Sequence, residues 1–251
     1  MLKADFHIHT HEDPYDFWLV KYSAKDLIRH AAKHKFGVLS ITNHSHVLYN
    51  QALKSYAKKK GILLIPGAEP RIEGKDVLVI NTTNEELKKI KKLADLEKLK
   101  DSALVIAPHP YFLTGNCLKD KLIKYIDSFH AIEFSHFYTR AMLNPFFKFI
   151  AGNAKAVEIA KKYKKPIIGT SDAHHLYEFG TSYVLVNSEK NTDDIIESIK
   201  RNKIKPVLNP MPVHLFFRRL FSATLKEGIM EQFILRNKIR ASRKAARAKL
   251  L

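Results

Sequence analysis

The 251-residue sequence is short of sulfur, of tryptophan and of negative charge. Its one cysteine, Cys117, has no partner in the chain, which excludes an intramolecular disulfide framework. No apolar run approaches the roughly 20 residues that a membrane-spanning helix needs. A secretory leader is not expected, because Asp5 and the histidines around it occupy the stretch an apolar core of such a leader would fill. These absences predict an intracellular, cytoplasmic protein. Internal repeats and low-complexity linkers are also missing from residues 1–200, so one large domain is expected there.

The deficit of acid leaves 43 Lys and Arg against 25 Asp and Glu, a formal charge of +18. From Arg201 onward thirteen basic residues face only Glu227 and Glu231. Such a surface concentrates anions, whether small phosphates, nucleic acid or lipid, although a lysine-rich solvated surface has the same composition. Residues 213–251 read as an amphipathic helix, with Leu215, Phe216, Phe217, Leu220 and Phe221 on its apolar side. That stripe calls for the barrel or a second subunit as partner. The terminal RASRKAARAKLL run suits nucleic acid or an anionic membrane surface. Pro210 and Pro212 mark the boundary, giving a domain over 1–209 and a basic helical tail over 210–251.

What the chain has in plenty is short apolar runs alternating with helical stretches, the pattern of βαβ units around a parallel sheet. The runs are ADFHIH, FGVLSIT, GILLIPGA, ALVIAP, AIEFS, PIIGTS and SYVLV. SAKDLIRHAAKHK and NAKAVEIAKKYKK lie between them as helices, the first with Ser23 as N-cap. DVLVINTT breaks the rhythm. It follows GILLIPGA too closely for a crossover helix, so an antiparallel pairing is expected.

Six runs finish on residues that can bind a metal. HIH ends on His7 and His9, which an extended strand projects to one side. SITNH ends on His44, IPGAE on Glu69, IAPH on His109, IEFSH on His136, and GTSDAH on Asp172 and His174. Singly, each histidine is a solvated loop residue as readily as a ligand. Repeated at six strand ends, they describe the functional face of a β/α barrel holding more than one divalent ion. Imidazole and carboxylate donors suit Zn, Mn or Fe better than Ca or Mg.

In order and spacing, HIHTH, TNH, GAE, APHP, EFSH and SDAH resemble the signature of the PHP (polymerase and histidinol phosphatase) family of metal-dependent phosphoesterases. The resemblance spans about residues 3–190 and implies an α/β fold, a distorted seven-stranded TIM-like barrel carrying two or three metals. By motif, His7 and His9 would bind one metal and Glu69 would bridge two. His44, His109, His136, Asp172 and His174 would complete the set. The family usually adds a ligand soon after the first motif, for which Asp13, Asp16 and His11 compete; Asp13 is taken as that ligand. Asn43 stands where many members carry an acidic residue.

Such a centre acidifies a bridging water and turns it on a phosphomonoester, whether a small phosphate, a nucleotide or a nucleic-acid end. Glu69, Asp172 and His174 are the expected catalytic residues, with Asp13, Asp16 or His174 as proton donor. Arg71 and Arg140 are candidates to hold the substrate phosphate, since arginine meets phosphate with paired donors. Tyr111, Phe112, Phe137 and Tyr138 flank the ligands and are expected mainly as packing residues. The rival expectation is a noncatalytic barrel that binds RNA or protein. It gives no reason for ligands at six strand ends, since unmetallated buried imidazoles and carboxylates cost stability. Exonucleolytic cleavage of phosphodiesters is a further alternative.

Overall fold

A computed structural model describes residues 1–143, 152–219 and 221. Its strands are, in chain order, β1 (Leu2–Asp5), β2 (Val38–Ile41), β3 (Leu63–Ala68), β4 (Arg71–Ile72), β5 (Lys75–Asp76), β6 (Leu78–Ile80), β7 (Leu104–Ala107), β8 (Ala131–Phe134), β9 (Ile167–Gly169), β10 (Ser182–Val186) and β11 (Ile204–Leu208). The α-helices are α1 (Ala24–Lys33), α2 (Gln51–Lys59), α3 (Asn84–Lys89), α4 (Asp120–Lys124), α5 (Asn153–Lys162) and α6 (Thr192–Lys200).

Nine strands form one sheet in the order β11-β10-β1-β2-β3-β6-β7-β8-β9, and β4 with β5 makes a separate hairpin. The pairs β1–β2, β2–β3, β7–β8 and β8–β9 are parallel, as helical crossovers require. β6 runs antiparallel to β3, with Gly67 opposite Ile80 and Ala68 opposite Val79, which is the pairing expected of the DVLV run. The sheet has nine strands where a seven-stranded barrel was expected, and β6 and β10 run opposite to the other seven. SYVLV lies antiparallel to β1, and the last strand, IKPVL, pairs with it in turn. Lys205 and Pro206 hide that strand in the sequence. Proline is tolerated because β11 ends the sheet's hydrogen-bonded order.

The sheet curves almost into a barrel. Ala4, Val38, Ile65, Ile80, Ile106 and Ile168, from six different strands, share one buried apolar cluster. At the seam β9 packs against β10 and β11, and Gly169 permits the approach. A Cβ there would stand 2.7 Å from the Tyr183 carbonyl oxygen and 2.9 Å from Leu208 Cδ2.

Helices bury their apolar faces on the outside of the sheet. In α1 the Ser23 side chain accepts from the Asp26 amide while Asp26 accepts from the Ser23 amide, closing a capping box. Leu27, Ile28 and Ala31 of that helix are buried with Leu39 and Ile41. Among the described residues no helix is long and apolar enough to cross a membrane.

By its contacts the chain divides into residues Met1–Met211 and Pro212–Leu251. Residues 213–219 and 221 of the second unit are helical, and the remainder of the expected tail helix lies outside the described residues.

Candidate metal centre

Each ligand-bearing segment leaves its strand at the same end of the sheet. His7 and His9 follow β1, His44 follows β2, Glu69 closes β3, His109 follows β7, His136 follows β8, and Asp172 and His174 follow β9. Short parallel bridges extend the register past the strands, joining Ile8 to Ala173 and His44 to Glu69. His109 and Asp172 take left-handed backbone angles, φ 28° and 43°. For residues other than glycine such conformations cost on the order of 1–3 kcal/mol and persist where surrounding contacts impose them.

Four side-chain atoms converge at the centre. Glu69 Oε2 lies 3.4 Å from His7 Nε2 and 3.4 Å from His9 Nε2. Asp172 Oδ1 lies 3.3 Å and 3.2 Å from the same two nitrogens. Four ligands placed tetrahedrally about 2.1 Å from a common ion stand about 3.4 Å from one another, and these four separations match that spacing. Glu69 reaches further, with Oε2 3.3 Å from His44 Nε2 and Oε1 3.5 Å from His109 Nε2. His136 Nδ1 is 3.9 Å and His174 Nδ1 3.6 Å from the Asp172 carboxylate. His7 Nε2 and His9 Nε2 are buried with no hydrogen-bond donor or acceptor at bonding geometry. Buried polar atoms left this way are costly unless something coordinates them. The donor set and its spacing therefore fit divalent metal ions, with Glu69 placed to touch more than one.

Electrostatics agree. Burial disfavours charge on every group here, yet Asp172, Glu133 and Glu69 hold His7 well above the usual imidazole range. Against the same penalty, Asp13 and Asp172 raise His9 to about 9. Burial would also raise Glu69 and Asp172, but the imidazoles facing them push both well below the carboxylate range.

A ring of acceptors backs the imidazoles. Asp13 Oδ2 lies 2.9 Å from both His9 Nδ1 and His44 Nδ1 and accepts the His44 amide, while Oδ1 accepts the amides of Tyr15 and Asp16. Asp16 Oδ2 stands 2.9 Å from His174 Nε2. Glu133 faces His7 Nδ1, and Cys117 Sγ lies 3.4 Å from His109 Nδ1. Glu178 accepts the amides of His174 and His175. Such partners fix ring orientation and tautomer in metal sites.

The three candidates for the extra ligand occupy different places. Asp13 and Asp16 are buried beside the cage, whereas His11 is exposed with Nδ1 against the Val20 carbonyl. Asn43 is buried and tied to Thr10, whose amide donates to its Oδ1. Arg71 lies in the β4–β5 hairpin with Nε donating 2.7 Å to Asp76, whose carboxylate is grouped with Glu69 and His109. Arg140 is exposed in the 3-10 turn Arg140–Leu143. Tyr138 is buried against Phe134, and Phe112 packs on Phe137.

Sequence reasoning missed Glu133, Asp76, Cys117 and Glu178. Glu133 was visible, inside the same IEFSH motif, as a carboxylate within an otherwise apolar strand. The other three offered no local signal.

Fold and cage together define a barrel-like α/β protein built around divalent-metal ligands. A family model described as PHP-associated matches residues 151–204. Among solved structures, a two-domain protein from Bacteroides vulgatus containing a predicted PHP-like metal-dependent phosphoesterase superposes with a TM-score of 0.62 at 18% identity, over 88% of this chain and 69% of that one. PsfC from Pseudomonas syringae gives 0.59 at 17%, over 91% and 98%. The lesion-specific endonuclease PfuEndoQ from Pyrococcus furiosus gives 0.54 at 14%, over 82% and 57%. No curated protein matches the chain in sequence. Residues 151–204 are thus similar to a PHP-associated family, and the fold is similar to that of a protein containing a PHP-like domain.

Proposed function

We propose that the protein is a metal-dependent phosphoesterase hydrolysing a phosphate ester: a small phosphomonoester, a nucleotide or a nucleic-acid end. The observation that carries this is the set of separations around Glu69 Oε2 and Asp172 Oδ1, which match the edges of a metal coordination shell. His7, His9, Glu69 and Asp172 would hold one ion. His44, His109, His136 and His174 stand ready for one or two more, of Mn, Zn or Fe. When bound, such ions acidify coordinated water and offset charge on a phosphoryl group.

The rest falls to the chain. Asp13 orients His9 and His44 from behind, and its five engaged contacts favour that role over direct ligation. Arg71, steadied by Asp76, offers planar donors to a phosphate oxygen. Asp16, hydrogen-bonded to His174 Nε2, is the carboxyl outside that ligand set that would pass a proton to a leaving oxygen. The net charge of +18 draws anionic esters toward the protein.

The test is phosphate release from phosphomonoesters, nucleotides and 5′-phosphorylated RNAs with added manganese, alongside Glu69→Gln. Release that falls about 100-fold or more in the variant is expected, as when a ligand to the reacting metal is lost. The Pyrococcus neighbour is named an endonuclease, so diesters belong in the panel. A folded, metal-loaded protein inert on both ester classes would overturn the reading.

A further inference from the structure

Glu133 is a fully buried carboxylate in the middle of β8, three residues before the expected ligand His136. It touches three parts of the molecule. Both of its oxygens lie 3.2 Å from His7 Nδ1. Oε2 also accepts the His109 amide at 2.9 Å, and Oε1 accepts the hydroxyl of Thr170. An ionised carboxylate has about four acceptor positions, so these donors nearly saturate it.

Two details separate Glu133 from the ligands. It meets His7 on the Nδ1 edge, whereas Glu69 and Asp172 face Nε2 on the opposite edge. Its second hold is on a backbone amide, that of the one expected histidine ligand with left-handed φ. A single carboxylate thus sets the ring of the ligand after β1 and the peptide of the ligand after β7. Thr170, just past β9, anchors it to a third ligand-bearing segment.

We propose that Glu133 is the positioning residue of the metal centre. It keeps the His7 proton on Nδ1, so that the Nε2 lone pair faces the ion, and it pins His109 in its left-handed conformation, so the two ligands are placed by one group. This rests on the metal-site reading above.

The test is zinc binding by the full chain, measured by competition with a chromogenic chelator, together with ¹⁵N-histidine NMR of the zinc-loaded protein. Parent, Glu133→Gln and Thr170→Val are compared. Glutamine removes the charge and turns one of the two oxygens facing His7 into an amide donor, so the pull that keeps the His7 proton on Nδ1 is weakened. The expected result is an unchanged number of zinc ions per chain, affinity weaker by about 10–100-fold in Glu133→Gln, and a His7 signal shifting from the Nδ1–H tautomer toward a mixture. Thr170→Val should show the same changes to a smaller extent, and it carries the test if Glu133→Gln does not fold. Unchanged affinity and tautomer in folded variants would overturn the proposal. So would loss of a whole ion with the His7 tautomer intact, which would make Glu133 a ligand. Failure of the parent itself to bind zinc would instead bring down the metal-site reading and this proposal with it.

Discussion

Arg71 shows how one side chain joins the cage to its surroundings. Nε and Nη2 engage Asp76, and Asp76 also takes the Asn116 side-chain amide and lies with Glu69 and His109. The side chain is 53% exposed, so its ion pair adds little to stability and leaves part of the guanidinium open to an anion. Arg71→Ala is expected to raise KM about tenfold for a phosphate ester, the scale of a lost charged hydrogen bond, with kcat less affected and Lys not restoring it. Steady-state kinetics on the best substrate checks this, and an unchanged KM would contradict it. At this scale the candidate ligands were legible because each ends a recognisable apolar run. Their supports were not, because Glu133 meets His7 across 126 positions of sequence and Asp76 meets Asn116 across 40. Such pairings exist only after folding.

Local rules made several elements legible. Ser23 announced the start of α1, and the short gap before DVLV announced an antiparallel partner for β3, because capping and connection length are decided by neighbours in sequence. The count and direction of strands were less accessible, since β10 and β11 gain their places only by pairing at the far edge of β1. The seam where β9 meets them tolerates no side chain at Gly169, whose added Cβ would press on backbone oxygen. Gly169→Ala should lower stability by about 1–3 kcal/mol, the usual penalty for overpacking. Urea unfolding measures it, and a neutral result would mean that β9 stands off from β10 and β11.

For the whole molecule, pH tests the fold apart from the metal centre. His130, half-buried before β8, receives the Val105 amide on Nδ1. Burial first, then Lys200, pulls its pKa from 6.5 down to about 4. The unfolded chain therefore takes up this proton near pH 6.5 and the native protein only near 4. The contribution is complete above the upper value and is lost as pH falls through that window. Urea midpoints should drop more steeply from pH 7 to 4.5 in the parent than in His130→Asn, whose amide oxygen keeps an acceptor for Val105. Parallel curves would refute the assignment.

Asp172 and His174 belong to the strand that closes the sheet, while Glu69 and the histidines before it are made much earlier in the chain. A growing polypeptide thus carries several ligand-bearing turns well before it possesses the carboxylate that completes the cage. A chain ending before β9 keeps the groupings His7–His9–Glu69 and His9–Asp13–His44 but lacks Asp172 opposite them, so it is expected to hold a divalent ion more weakly than the full chain, which chelator competition on both would measure.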